Sequence, residues 1–299
     1  MMRWPDYRPH ANFVAPAQER PSIGLFLVGL CVAATAFIAL NRLFFDFLYS
    51  VTGDNSEQIY QDILNGATPF GMYVQLFTFG LITLSVALVV RLIHRRAVRS
   101  LLGPGWPFLA QFAVVCVMLI LLTAVLYVLP PWDMGESYVQ NMALGAWLLL
   151  LPLSLLAVLV QSSAEEVLFR GYIQQQLAAR FRSPLIWMLL PSALFGLGHY
   201  MPATAGENAL IIAVWAGIFG LMMADLTARS GTLGPAIALH FINNVSAVLI
   251  VSLPDGLAGL ALYVAPFSLD NTELLRAWLP VDFMLMLVFW LAARLAIRR

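Results

Sequence analysis

The sequence predicts an all-α, polytopic membrane protein of about eight transmembrane helices, with both termini cytoplasmic. Three observations predict it. Hydrophobic residues fill 61% of the 299 positions and charged residues only 11%, against about 25% in a soluble domain. Eight apolar runs approach the roughly 20 residues that a spanning helix needs. The basic residues are all Arg, and they collect in alternate connections between those runs.

Taken in order, residues 1–22 are polar and Pro-containing and lack the apolar core of a cleaved leader, so they read as an irregular cytoplasmic tail. Apolar runs follow at 23–40, 72–90, 108–129, 142–160, 184–199, 208–226, 232–253 and 277–295. The fifth is short and contains Pro191, and the last carries Pro280 and Asp282 in its first turns. The 41–71 connection mixes apolar and acidic residues at near-helical spacing, which suits the outer membrane interface. Fourteen arginines lie in the N-terminal tail, the even-numbered connections and the C-terminus. Arg42 and Arg276 alone lie on the other side, among acids such as Asp46, Glu57, Asp133, Glu136 and Asp255. That bias places both termini in the cytoplasm and demands an even number of spans. A formal net charge of zero with no basic stripe argues against a nucleic-acid partner. Cys31 and Cys116 fall inside apolar runs without metal-ligand spacing and read as small embedded hydrophobes.

Polar residues near hydrocarbon are expensive and are retained where they pair or do chemistry. The first group is Glu165, Glu166 and Arg170, at the end of the run that begins near Met142. On a helix Glu166 and Arg170 share a face, four residues apart. Glu165 is rotated about 100° from Glu166. The spacing therefore pairs Glu166 with Arg170 and leaves Glu165 without a partner in its own turn, free for acid–base work. The second group is Phe195 and His199, one turn apart, with small Gly196 and Gly198 allowing another helix close. The third is His240 and Asn244, an i, i+4 polar spot on a greasy run, whose hydrogen-bonding groups need partners. The chain has four histidines; the remaining two, His10 and His94, lie in basic segments. Gly217 and Gly220 suggest a helix-packing face, and Asp225 and Arg229 an interfacial ion pair. Ser162 and Ser163 have no nucleophile elbow around them, and neither an HExxH motif nor a phosphate-binding glycine loop is present.

The order EExxxR at 165–170, FxxxH at 195–199 and HxxxN at 240–244 resembles the CPBP family of intramembrane proteases, also called the CAAX protease and bacteriocin-processing (Abi) family. The resemblance covers roughly 142–253. With the apolar runs, it divides the chain into four units: a cytoplasmic tail (1–22), three N-terminal spans with their loops (23–141), the catalytic core that the resemblance covers (142–253), and an external loop with a last span (254–299). It implies Glu165 as general base for a water, His199 as the group that holds and polarises that water, and His240 with Asn244 as oxyanion donors. Glu166, Arg170 and Phe195 occupy supporting positions. The implied activity is hydrolysis of a peptide or membrane-anchored protein at the lipid bilayer; the arginine-only basic set and short loops point to a bacterial cytoplasmic membrane. The rival reading is a non-catalytic immunity or binding protein on the same scaffold. Glu165, His199 and His240 could also supply three zinc ligands; the preferred reading is a glutamate-type mechanism with no cofactor.

Overall fold

The structure, a computed structural model, describes residues 7–129, 138–254 and 256–298. Among these the chain forms ten helices: α1 (Arg8–Gln18), α2 (Ile23–Thr52), α3 (Ser56–Asn65), α4 (Pro69–Leu92), α5 (Gly105–Val128), α6 (Leu144–Arg180), α7 (Leu185–Gly198), α8 (Pro202–Ser230), α9 (Gly234–Ile250) and α10 (Thr272–Ala296). Six of them, α2, α4, α5, α6, α8 and α10, are long and apolar enough to cross a membrane, whereas α7 and α9 are shorter apolar helices. The chain is an integral membrane protein.

Helix starts follow from local chemistry. The side chains of Ser22, Thr68 and Asn271 accept hydrogen bonds from the backbone N–H groups of Leu25, Gly71 and Leu274, capping α2, α4 and α10. Gly66 and Gly231 end α3 and α8 in the left-handed conformation, at φ of 57° and 73°. Where α6, α8 and α10 begin, three two-residue strands form a ribbon: β1 (Val139–Gln140), β2 (Val251–Ser252) and β3 (Tyr263–Val264). Their order is β1-β3-β2, with β1 antiparallel and β2 parallel to β3.

Two sequence expectations are corrected. The N-terminal segment is not an irregular tail, because residues 8–18 form α1. Its buried positions, His10, Phe13, Val14 and Ala17, recur at helical spacing. The face they make packs on α6 and α8 at the end opposite the ribbon. Polar residues and prolines hide that pattern in the sequence. The fourth span does not stop near 160 either. α6 runs on to Arg180, and its turns widen to a π-helix over Val167–Gln174. Arg170 therefore lies in the dry interior, with no exposed surface, and not in a connection. Arg3, Asp133, Glu136, Asp255 and Arg299 lie outside the described residues.

Candidate active site

Three helices bring the polar residues to one depth. A Cβ on Gly171 of α6 would lie 2.9 Å from the Leu101 carbonyl oxygen and 3.2 Å from Leu233 Cδ1, so only glycine lets α6 pass here. From that crossing, Glu165 is six residues back along α6 and His240 is seven residues on from Leu233, and both steps lead toward the ribbon. At 1.5 Å per residue each lies about 10 Å beyond the crossing. A Glu165 at the end of its span would have left His199 far away along the short fifth run. The continuation of α6 to Arg180 removes that mismatch.

The two glutamates hold one imidazole. His240 Nδ1 is 2.8 Å from Glu166 Oε1, and its Nε2 is 3.3 Å from Glu165 Oε2. Glu166 Oε1 also accepts a hydrogen bond from Arg170 Nη1 at 3.1 Å, and both of these side chains are wholly buried. Arg170 Nη2 donates to the Gly220 carbonyl at 2.8 Å. A side chain at position 220 would crowd that guanidinium, with its Cβ 3.0 Å from Nη2. The guanidinium stacks 5.0 Å from the Phe195 ring centre. An acceptor already bound to Arg⁺ is a carboxylate, so His240 donates to it through Nδ1–H and turns Nε2 toward Glu165. Two carboxylates and one guanidinium leave one negative charge, and a single proton on the Glu165–His240 pair neutralises the cluster. Glu166 is sealed, whereas Glu165 keeps 13% of its side chain exposed, enough to meet a water.

Phe195 joins the motifs. Its ring lies 4.6 Å from His199, 6.0 Å from His240 and 5.2 Å from Phe169. His199 donates Nδ1–H to the Phe195 carbonyl at 2.8 Å, which leaves Nε2 as its acceptor nitrogen. The Glu165 carboxyl is within electrostatic reach of that imidazole. Asn244 enters through an intermediary. Its Nδ2 donates to Gln161 Oε1 at 2.8 Å, and Gln161 Nε2 donates to Glu165 at 2.9 Å. π-helical turns overlap the first motif at Val167–Gln174, follow directly on the third at Val245–Ile250, and open the helix that carries the second at Leu185–Leu189. Such turns re-aim side chains and recur at functional sites.

The structure thus gathers Glu165, Glu166, Arg170, Phe195, His199 and His240 directly, and Asn244 through Gln161. It revises two expectations. Glu165 is not without partners, since Gln161 and His240 both reach it. Glu166 does more than neutralise Arg170, since it orients His240. The sequence reading missed Gln161, although a lone amide one turn before Glu165 in an apolar run is a usable signal. It also missed Asn243, whose Nδ2 donates to Asn244 Oδ1 at 3.1 Å. Gly196 is a close-approach glycine, since a Cβ there would lie 2.6 Å from the Ala213 oxygen. Gly198 is not, since a Cβ there meets nothing within 4 Å. Asp225 and Arg229 do pair, at 2.7 Å, and Tyr7 Oη donates to the same carboxylate at 2.7 Å.

For a metal, Glu165 Oε2 and His240 Nε2 are the two donors that face each other, and His199 offers Nε2. Among the described residues, however, no three His, Cys, Asp or Glu side chains gather at metal-holding spacing.

Residues 144–246 match the family model described as type II CAAX prenyl endopeptidase Rce1-like. A relative, the uncharacterized protein YyaK of Bacillus subtilis, is 24% identical over 269 residues, which are 83% of this chain and 84% of its own. No solved structure matches. The matched stretch holds every residue of the gathered cluster, from Gln161 to Asn244. Through that core the chain is similar to the CAAX-type family of intramembrane proteases.

Proposed function

We propose that the chain is an intramembrane endopeptidase that hydrolyses a peptide bond with a water activated by Glu165. The observation that carries this reading is the His240 imidazole held between a sealed, Arg-paired glutamate and a second glutamate that keeps an exposed edge.

The chemistry follows from the contacts. With both ring nitrogens protonated, His240 donates to Glu166 and to Glu165, which then stands as a carboxylate. A water beside Glu165 gives it a proton as its oxygen attacks the substrate carbonyl carbon, while His199 Nε2 accepts the water's second hydrogen. Negative charge develops on the carbonyl oxygen. Asn244 Nδ2 carries a second N–H besides the one given to Gln161, and that N–H and His240 Nε2–H supply the oxyanion donors. When the C–N bond breaks, Glu165 returns its proton to the leaving nitrogen. Glu166 and Arg170 touch no reacting atom in this scheme and are positioning residues. The mechanism requires no metal, and activity should survive chelators.

In this reading α7 and α9 complete an eight-span bundle with both termini cytoplasmic, as the arginine distribution favours. The setting is a bacterial cytoplasmic membrane, and the substrate is a membrane-associated protein or precursor peptide. The test compares membrane proteomes of cells carrying wild-type protein and Glu165→Gln. The variant should fold normally, lose about 10²–10⁴ in cleavage rate, and let an uncut species accumulate. Identical proteomes would favour a non-catalytic binding or immunity protein instead.

A further inference from the structure

A cavity of about 530 Å³ opens between the ribbon, the end of α9 and the first half of α10. Its walls are mostly apolar, with Trp278 and Val251 among them, but Asn243, Ser246 and Asp282 also line it. Asp282 is a carboxyl group within a spanning helix. Trp215 lies beside it, and among the described residues it has no ion-pair partner. Such a group is costly unless something binds it. The proposed mechanism gives it no task.

Three features connect the cavity to the cluster. Asn243, on its wall, donates to Asn244, so a chain of hydrogen bonds links the cavity wall through Asn244 and Gln161 to Glu165. β2, which also lines it, is an edge strand of the ribbon, where an extended chain can add alongside. At the opposite end of the bundle α1 is docked, with Phe13 buried to 1% exposure, and closes that approach.

We propose that this cavity is the docking groove for substrate, entered from the ribbon end, and that it takes an extended, largely apolar peptide segment whose one basic side chain pairs with Asp282. The proposal rests on the protease reading above for the word substrate, but not for the binding itself.

The test uses full-length protein in vesicles, in a Glu165→Gln background with Cys31 and Cys116 replaced by Ala. Ser246→Cys serves as reporter, and Ala247→Cys as a second reporter should the first fold poorly. Thiol modification by a cationic and an anionic methanethiosulfonate is compared, each normalised to its rate with a free thiol. The cationic reagent should be favoured about tenfold, and Asp282→Asn should abolish the preference. A decapeptide of apolar residues with one central Arg should protect the cysteine, and the same peptide with Gln should protect it at least fivefold less. No charge preference, or equal protection by the two peptides, would overturn the proposal. Dodecylamine protecting as well as the Arg peptide would assign the groove to a lipid amine and overturn it too. Because the background is inactive, protection is read independently of cleavage. Protection by the Arg peptide in a protein whose wild type cleaves nothing would sink the protease reading and leave the docking groove standing.

Discussion

Replacing Arg170 with Gln removes the guanidinium from a carboxylate that no solvent reaches. Glu166 and Arg170 have no exposed side-chain surface and meet at 3.1 Å. Arg170 also satisfies the Gly220 carbonyl at 2.8 Å. Breaking one partner of a buried pair leaves an uncompensated charge and costs about 3–5 kcal/mol. The loss of the contact with the Phe195 ring, 5.0 Å away, adds about 0.5–2 kcal/mol. The double variant Glu166→Gln/Arg170→Gln leaves two neutral amides and should regain much of the loss, within about 1–2 kcal/mol of wild type. The assay is a double-mutant cycle by thermal unfolding of detergent-purified protein, with a cleavage readout on the same samples. Stability should recover in the double variant while cleavage stays low, because His240 has lost the carboxylate that orients it. Arg170→Gln within 1 kcal/mol of wild type, or a double variant worse than either single one by simple addition, would refute the argument that Glu166 is a charged, Arg-dependent anchor for His240.

Three other perturbations test separate parts of the structure. Gln161→Leu strips hydrogen bonds from both Asn244 and Glu165 at a cost of about 1–3 kcal/mol. It should lower kcat more than it raises KM, and a kcat unchanged from wild type would remove Gln161 from the site. Gly196→Ala forces a Cβ to 2.6 Å from a backbone oxygen of α8 and should cost about 1–3 kcal/mol, whereas Gly198→Ala, with open space around it, should melt like wild type. His10, buried against Trp187 with ring centres 4.4 Å apart, has its pKa pushed by burial from the usual 6.5 down to about 4. The unfolded chain therefore binds a proton that the folded chain refuses, so stability is full above pH 6.5 and falls as pH drops toward 4, by up to about 3 kcal/mol. His94, likewise buried, has its pKa pushed down to about 4 and contributes to the same window, so His10→Gln should reduce the slope of a melting-temperature series across pH without abolishing it, and an unchanged slope would dismiss His10 as a cause.

Much of the site was legible because its residues are chemically conspicuous in an apolar chain. Glu166 and Arg170 pair as their i, i+4 spacing requires, and Asp225 with Arg229 likewise. Glu165 was singled out by the same spacing, but its partners were not, since His240 comes from a helix about seventy residues later and spacing along one helix carries no information about another. Gln161 was overlooked because an uncharged amide in a hydrophobic run attracts no attention until its two ends are seen to reach Asn244 and Glu165.

By itself the sequence determined that this is a helical membrane protein, where its apolar runs lie, and which few polar residues stand out in them as candidates for chemistry. Hydrocarbon makes those features local, because length and polarity are judged residue by residue against the bilayer. Tertiary structure alone decided the rest. It decided that α6 continues past Glu165 to Arg180, since a buried Arg170 is tolerable only with Glu166 and the Gly220 carbonyl around it. It decided that residues 8–18 form a helix, since that short segment is held by the surface it covers. It also decided that Glu165 and Glu166, rotated apart on one helix, meet again on the two nitrogens of His240, a convergence that exists only once α6 and α9 cross.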